Sequence, residues 1–249
     1  TVPTFFFFQV VFAGTAVIGA GIAVVDTLYA AAAACPAGGR IVEIGSFQGR
    51  STVVLALAAD PSVEVVAIDP HAGNDRGPQE IEGYAREAAD DHTRFLANLA
   101  GAGVADRVTH VREFSHAALG VLAGAADVLY IDGAHRYRPA RADIAEWGAR
   151  VNRGGTLLIH DSFSSIGVTA AIVRQLVWSP TFRYVGRSRS LAEYRADLPS
   201  GTRARLVNAA RQLAQLGWFA RNVALKVALT AGLGTLLKQL GREAPEWPY

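Results

Sequence analysis

Residues Arg40-Ile-Val-Glu-Ile-Gly-Ser-Phe-Gln-Gly-Arg-Ser-Thr52 join a short β-branched run to an acid, two spaced glycines and a helix start. Ile41, Val42 and Ile44 suit a buried parallel strand. Gly45 and Gly49 allow a tight turn and a close backbone approach, and Ser51 and Thr52 fall in the first helical turn. A strand that turns sharply into a helix presents the helix N-terminus at the carboxyl edge of a sheet, where nucleotide-type ligands bind. The spacing is Gly-x-x-x-Gly, so neither the dinucleotide fingerprint nor the phosphate loop is present. Taken alone, the segment fits an ordinary strand-to-helix turn equally well.

The next strand adds weight to the ligand reading. Ser62-Val-Glu-Val-Val-Ala-Ile-Asp-Pro70 is apolar and ends in Asp69, slightly beyond the usual position of a ribose-binding carboxylate. An acid there can accept hydrogen bonds from both ribose hydroxyls, although Asp-Pro also opens ordinary loops. Together the two strands favour an adenosine-containing ligand.

Farther along, strands are expected near 40–45, 63–69, 107–112, 127–132 and 155–160. Helices are expected near 50–59, 80–100, 115–123, 138–150 and 165–178. Such winding implies a parallel sheet covered on both faces. Thr181-Phe-Arg-Tyr-Val185 and Ser190-Leu-Ala-Glu-Tyr194 alternate around Gly186-Arg-Ser-Arg189 and read as a terminal antiparallel hairpin. A chain of 249 residues accommodates one such domain with a sizeable core. With a net charge of +2 and 18% charged residues, nothing calls for a nucleic-acid partner, and a small acceptor is expected.

Five segments carry a family resemblance: Glu43 to Thr52, Ala67-Ile-Asp-Pro-His71, Leu129-Tyr-Ile-Asp-Gly-Ala-His-Arg-Tyr137, Asp143-Ile-Ala-Glu-Trp147 and Gly154-Gly-Thr-Leu-Leu-Ile-His-Asp161. In this order they resemble the successive motifs of class I S-adenosylmethionine-dependent methyltransferases. The similarity extends over about residues 26–196. It is nearest the branch of macrocin-type sugar O-methyltransferases and cephalosporin-hydroxylase-like proteins, with catechol O-methyltransferase more distant. The resemblance implies an α/β Rossmann-like, doubly wound seven-stranded sheet of order 3-2-1-4-5-7-6 with its last strand antiparallel. It also implies S-adenosylmethionine as cofactor, with Glu43, Gly45 and Ser46 near the methionine moiety, and Gly49 and Ser51 completing that loop. Asp69 would meet the ribose, and Glu113 and Ser115 the adenine.

The chemistry is expected at the ends of strands four and five. Asp132 and Asp161 close Val128-Leu-Tyr-Ile-Asp132 and Leu157-Leu-Ile-His-Asp161, and two carboxylates on adjacent strand ends can share a hard cation such as Mg²⁺. In metal-dependent relatives, acids at these positions hold the metal. The pattern departs from theirs at Ser162 and at His160, so His160 joins Asp132 and Asp161 as a candidate ligand. His135 sits on the loop after Asp132, and the resemblance implies that it is the general base. A neutral imidazole taking the hydroxyl proton as the C–O bond forms contributes about 10²–10⁴-fold. Arg136, Tyr137 and Arg138 flank it and can hold a sugar or an anionic substrate, or simply begin a solvated helix.

The implied function is Mg²⁺-assisted O-methylation of a hydroxyl on a small molecule or sugar, such as one of a natural product or glycolipid. An alternative is a catalytically inactive cofactor-binding protein of the same fold with a structural or regulatory role. A third, oxygenase-like reading lacks a two-histidine, one-carboxylate iron triad at familiar spacing. The polar, glycine- and proline-punctuated stretch His71 to Gln79 reads as a lid over the cofactor.

Three divisions are expected: an apolar segment over 1–25, the methyltransferase domain over 26–200 and a basic amphipathic helical extension over 201–249. Val2 to Val25 carries no charged residue and is long enough to span a bilayer; it reads as a membrane segment, a buried helix or an oligomer contact. The Arg- and Lys-bearing stretch from Arg203 to Leu240 can contact an anionic membrane surface, the domain or a second subunit. A single cysteine, Cys35, fits a reducing compartment and a cytoplasmic enzyme, free or membrane-associated. The absence of methionine implies a processed chain or a residue 1 that is not the native start.

Overall fold

A computed structural model describes residues 20–72 and 84–232. Helix α1 (Ala20–Ala33) precedes the alternating elements β1 (Arg40–Ile44), α2 (Arg50–Ala58), β2 (Glu64–Ile68), α3 (Tyr84–Gly101), β3 (Val108–Val111), α4 (Ser115–Val121), β4 (Ala126–Ile131), α5 (Tyr137–Glu146), β5 (Val151–Ile159) and α6 (Ile166–Gln175). The hairpin β6 (Arg183–Ser188) and β7 (Leu191–Arg195) follows, then helices α7 (Thr202–Leu213) and α8 (Leu216–Thr230). The seven strands run in the order β3-β2-β1-β4-β5-β7-β6. The first five pair in parallel, and β7 lies antiparallel between β5 and β6. Both the α/β class and the strand order match expectation.

Successive strand residues point to opposite faces, so each strand feeds two cores. Val42, Ile44, Val66, Ile68, Leu129, Ile131, Leu157 and Ile159 pack beneath α4, α5 and α6. Ile41, Val65, Ala67, Val128, Tyr130 and Leu158 pack beneath α1, α2 and α3. Burying one such aliphatic side chain contributes about 1.5–3 kcal/mol, and this two-sided burial is why the strands read as continuous apolar runs. Cys35 lies in the second core, where burial, reinforced by Asp127, pushes its thiol up to about 11. At neutral pH it is therefore a packed, protonated thiol.

Strand β5 starts at Val151, four residues earlier than expected. Gly154 adopts φ 79° and the β4–β5 register shifts between Ala126 and Val128. A Cβ on Gly155 would lie 2.9 Å from Asp127 O, so the glycine pair lets the bulged strand pass close to β4.

Strand β6 is an edge, and α7 covers it with a side-chain amide. Asn208, 3% exposed, accepts from Tyr184 N at 2.7 Å through Oδ1 and donates to Phe182 O at 3.0 Å through Nδ2. The amide thus supplies the donor and acceptor that a further strand would offer. Arg187 lies over the Trp218 ring at 3.7 Å, with Nε donating to Gln215 Oε1 at 2.9 Å, which fastens the hairpin to α8.

Of the three surfaces open to the C-terminal extension, its described part spends polar side chains on the domain. Among the described residues no helix is long and apolar enough to cross a membrane. Helix α1 runs through the expected division at residue 25/26, whereas residues 1–19, 233–249 and the lid from 73 to 79 lie outside the described residues.

Candidate active site

The sheet keeps hydrogen bonding for one residue beyond each central strand. Gly45 N donates to Ile68 O at 2.8 Å, Asp132 N to Ile44 O at 2.8 Å, and His160 N to Ile131 O at 2.9 Å. These bonds hold the backbone of Gly45, Asp132 and His160 along one carboxyl rim, where open α/β sheets bind ligands. A Cβ on Gly45 would lie 2.4 Å from Asp132 O, and Gly45 has φ 89°. The glycine is thus required for the β1–α2 loop to cross the end of β4.

Glu43 is fully buried. Its two oxygens accept from Ser51 Oγ and Thr52 Oγ1 in the first turn of α2. Burial raises its pKa to about 7 against the two hydroxyls, which favour the ionised form. Glu43 and Ser51, expected at the methionine moiety, are thus brought together as a latch between β1 and α2. The space beside Gly49 is filled by the Phe95 ring, 3.0 Å from where a Cβ would stand.

Ser46 is the member of this loop with unused polar capacity. It is 2% exposed, and its Oγ has no hydrogen-bond partner among the described residues. A buried hydroxyl without a partner is costly, and a polar group of a ligand beside Gly45 would satisfy it. Asp69 steadies the same loop: Oδ2 accepts from Phe47 N and Oδ1 from His71 N, both at 2.8 Å. Each carboxylate oxygen retains further acceptor capacity, so this rim fits the amino-acid and ribose portions of an adenosyl cofactor.

The two residues expected at the adenine separate. Glu113 is exposed at the end of β3, as is Phe114, which stacks on His116 with centroids 5.8 Å apart. Ser115 instead donates to Asp143 Oδ1 at 2.5 Å, while its carbonyl accepts from Trp147 Nε1 at 3.2 Å. It links α4 to α5.

At the ends of β4 and β5 the expected residues converge. His135 Nε2 lies 2.6 Å from Asp161 Oδ2. His160 Nδ1 lies 3.2 Å from Asp132 Oδ1 and 3.5 Å from Asp161 Oδ1, within ion-pair range of both but out of line for a hydrogen bond. Tyr130 OH donates to Asp132 Oδ2 at 2.9 Å. Burial opposes charge on His160, but the Asp132 and Asp161 carboxylates outweigh it and hold its pKa above the ordinary imidazole value. Tyr130, buried beside Asp132, is pushed well above the usual phenol value.

This differs from the expected metal site. Every oxygen of Asp132 and Asp161 faces a protein donor or an imidazole nitrogen, and the His160 ring stands between the two carboxylates. Mg²⁺ needs near-octahedral oxygen ligands at about 2.1 Å. Among the described residues no group of three His, Cys, Asp or Glu side chains is arranged to hold a metal ion. Asp132, Asp161 and His160 do come together, but as an ion-paired network that does not fit a hard cation. The sequence offered one signal for it: Tyr130 and Asp132 are two apart and share a strand face.

A small pocket lies behind His135, walled by Ile131, Ala140, Ile144, Ile159 and Val168. Helix α6 begins against the loop that carries His135: Ser165 Oγ donates to His135 O at 3.3 Å, and a Cβ on Gly167 would lie 2.2 Å from that same oxygen.

A second histidine group went unread in the sequence because its members are far apart. His71, His92 and His110 have ring centroids 4.9–5.3 Å from one another, with Phe95 4.5 Å from His110. Burial lowers the pKa of His71, and burial together with His71 and His92 brings His110 to about 4. This group packs α3 onto β2 and β3 behind Asp69.

Residues 42–162 match the family model of a methyltransferase domain. Among solved structures, cofactor-bound Rv0187 from MTB is similar at 22% identity, over 72% of this chain and 82% of that chain, with a TM-score of 0.52. The O-methyltransferase NovP is similar at 16% identity, over 71% of this chain and 80% of that one, with a TM-score of 0.56. A protein from Corynebacterium glutamicum is similar at 15% identity, over 72% and 82% of the two chains, with a TM-score of 0.51. These likenesses are likenesses of fold. With the strand order, they bear out the fold that the resemblance implied, and the family match over residues 42–162 is to a methyltransferase domain.

Proposed function

We propose that this chain is an S-adenosylmethionine-dependent O-methyltransferase acting on a hydroxyl of a small molecule or sugar, with His135 as general base and Asp161 as its orienting acid. The observation that carries the reading is the 2.6 Å pairing of His135 Nε2 with Asp161 Oδ2 at the rim, one strand away from the loop of Gly45 and Ser46.

S-adenosylmethionine, when bound, supplies an electrophilic sulfonium methyl for in-line attack by the acceptor oxygen. An alcohol is a poor nucleophile at neutral pH, so the chain must remove its proton as the C–O bond forms. His135 takes that proton. Asp161 fixes the ring's orientation, with Nε2–H held toward Oδ2, and stabilises the imidazolium that results. Asp69 and the buried Ser46 hydroxyl hold the ribose and amino-acid ends, which sets the distance of attack. Asp132, paired with His160 and Tyr130, supports the loop from which His135 projects. Magnesium assistance was expected from the sequence; the donor arrangement does not support it, and the reaction is derived without it.

Calorimetric titration with S-adenosylhomocysteine, in Mg²⁺ and again in EDTA, tests the cofactor site without knowledge of the acceptor. Micromolar binding that is equal in both supports the reading and justifies a screen of sugars and phenols. Binding that requires Mg²⁺ restores the metal site. No binding in either rejects the enzyme and favours the inactive structural alternative.

A further inference from the structure

We infer that the C-terminal helix α8 is a strut for the active site, and that Asn222 and Lys226 are positioning residues that hold the turn carrying Asp161. The inference rests on the proposed pairing of His135 with Asp161 as base and orienting acid.

The turn after β5 is strained. Asp161 has φ 54° and Phe163 φ 55°, left-handed conformations that a bulky aromatic rarely adopts. Such conformations are costly and persist only when the surroundings enforce them. Ser162 between them is pinned from the sheet side, its N donating to Ser190 O and its Oγ to Ile159 O, both at 2.8 Å. The Phe163 ring is fully buried. On the far side, the turn's carbonyls belong to α8. Asn222 Nδ2 donates to Phe163 O at 3.4 Å, and Lys226 Nζ lies 3.1 Å from Ser164 O and 3.3 Å from Ser164 Oγ.

Asn222 and Lys226 are four apart, so one face of α8 reads two successive carbonyls of the turn. Asn222 is 2% exposed, an expensive place for an amide unless its bond is needed. The path to the base is short. Ser164 N and Ser165 N both return to Asp161 O, at 3.2 and 2.9 Å, and Ser165 Oγ reaches His135 O. Holding Phe163 O and Ser164 O therefore fixes the backbone that aims the Asp161 carboxylate at His135. It also explains why a helix outside the sheet carries a buried asparagine and a half-buried lysine amid apolar neighbours such as Trp218 and Phe219.

The test reads the His135–Asp161 bond itself. An imidazole N–H held at 2.6 Å by a carboxylate gives a far-downfield proton resonance, assigned by its loss in His135→Gln. In Lys226→Met and in Asn222→Leu/Lys226→Met, that resonance should disappear or exchange with solvent at least about tenfold faster. S-adenosylhomocysteine affinity should stay within about twofold, and Lys226→Arg should restore the resonance. A merely structural contact would lower the melting temperature without touching that proton.

An unchanged resonance in a folded variant overturns the strut. So does its absence from the wild-type protein, which would remove the bond that the strut is said to aim. If the double variant loses its circular dichroism, Lys226→Met alone decides. Because the readout needs neither cofactor nor acceptor, failure of the methyltransferase reading would appear separately, as absent S-adenosylhomocysteine binding.

Discussion

His135 Nε2 stands 2.6 Å from Asp161 Oδ2, although the two residues lie on different loops leaving adjacent parallel strands. Register brings them together. Ile131 pairs with Ile159, so the residues that follow each strand emerge side by side at the rim. A histidine four positions past its strand can then turn back onto an acid two positions past the next.

That pairing predicts how two variants divide. His135→Ala removes the proposed base and should lower methyl transfer at least about 100-fold, with S-adenosylhomocysteine affinity nearly intact. Asp161→Asn keeps the shape but loses the charge that stabilises the imidazolium, so turnover should fall while cofactor affinity again holds. Single-turnover rates beside calorimetry check both, and near-normal turnover in His135→Ala would reject the base.

Asp69 is proposed to act on the cofactor side. Its carboxylate already orders the β1–α2 loop through Phe47 N and His71 N, and the proposed ribose contact would add charge-assisted bonds of about 1.5–3 kcal/mol each. Asp69→Ala should therefore weaken S-adenosylhomocysteine binding about tenfold or more. Asp69→Asn, which retains acceptor capacity on one oxygen only, should fall between. Unchanged affinity in the alanine variant would remove the ribose role.

Much of the fold was legible in the sequence because it is written locally. Buried parallel strands demand unbroken apolar runs, and Gly45, Asp69, Asp132 and Asp161 end those runs one after another. The site was legible as a set of positions but not as a set of partners. Nothing in the spacing says that Ser51 and Thr52 turn inward to Glu43, that Ser115 spends its hydroxyl on Asp143, or that His160 sits between two acids. Those choices are made by packing in three dimensions. The reach of Asn222 and Lys226 across some sixty residues to the Asp161 turn left no local trace either, beyond polar residues in an apolar helix.

Glu43 links the β1–α2 loop to stability. Its pKa is raised from 4.5 to about 7, chiefly by burial, so the folded state holds this proton more tightly than the unfolded chain. Below about pH 4.5 both states are protonated and the contribution is fully present. As pH rises toward 7 the unfolded chain ionises first, the folded state binds more protons, and stability falls by an amount on the order of 3 kcal/mol. Glu43→Gln should flatten this component. Urea unfolding at pH 5 and pH 8 in both proteins checks it, and an equal slope in the variant would assign the pH dependence elsewhere.

Gly167→Ala sets helix propensity against packing at one position. Gly167 is the second residue of α6, and on propensity alone alanine should stabilise the helix by about 1 kcal/mol. The added Cβ, however, would lie 2.2 Å from His135 O and 2.7 Å from Tyr137 N, both backbone atoms that no side-chain rotation can clear. Either α6 or the base loop must shift. Overpacking of this kind costs about 1–3 kcal/mol, so the steric term wins. Because the shift falls on the backbone of His135, a displacement of about 1 Å should cost on the order of 100-fold in methyl transfer. Cofactor affinity should be spared, since Gly45, Ser46 and Asp69 lie on other loops. Thermal denaturation and single-turnover kinetics measured together decide it. A more stable, fully active variant would mean that α6 can retreat without moving the base, and the close docking of Gly167 would then have no part in catalysis.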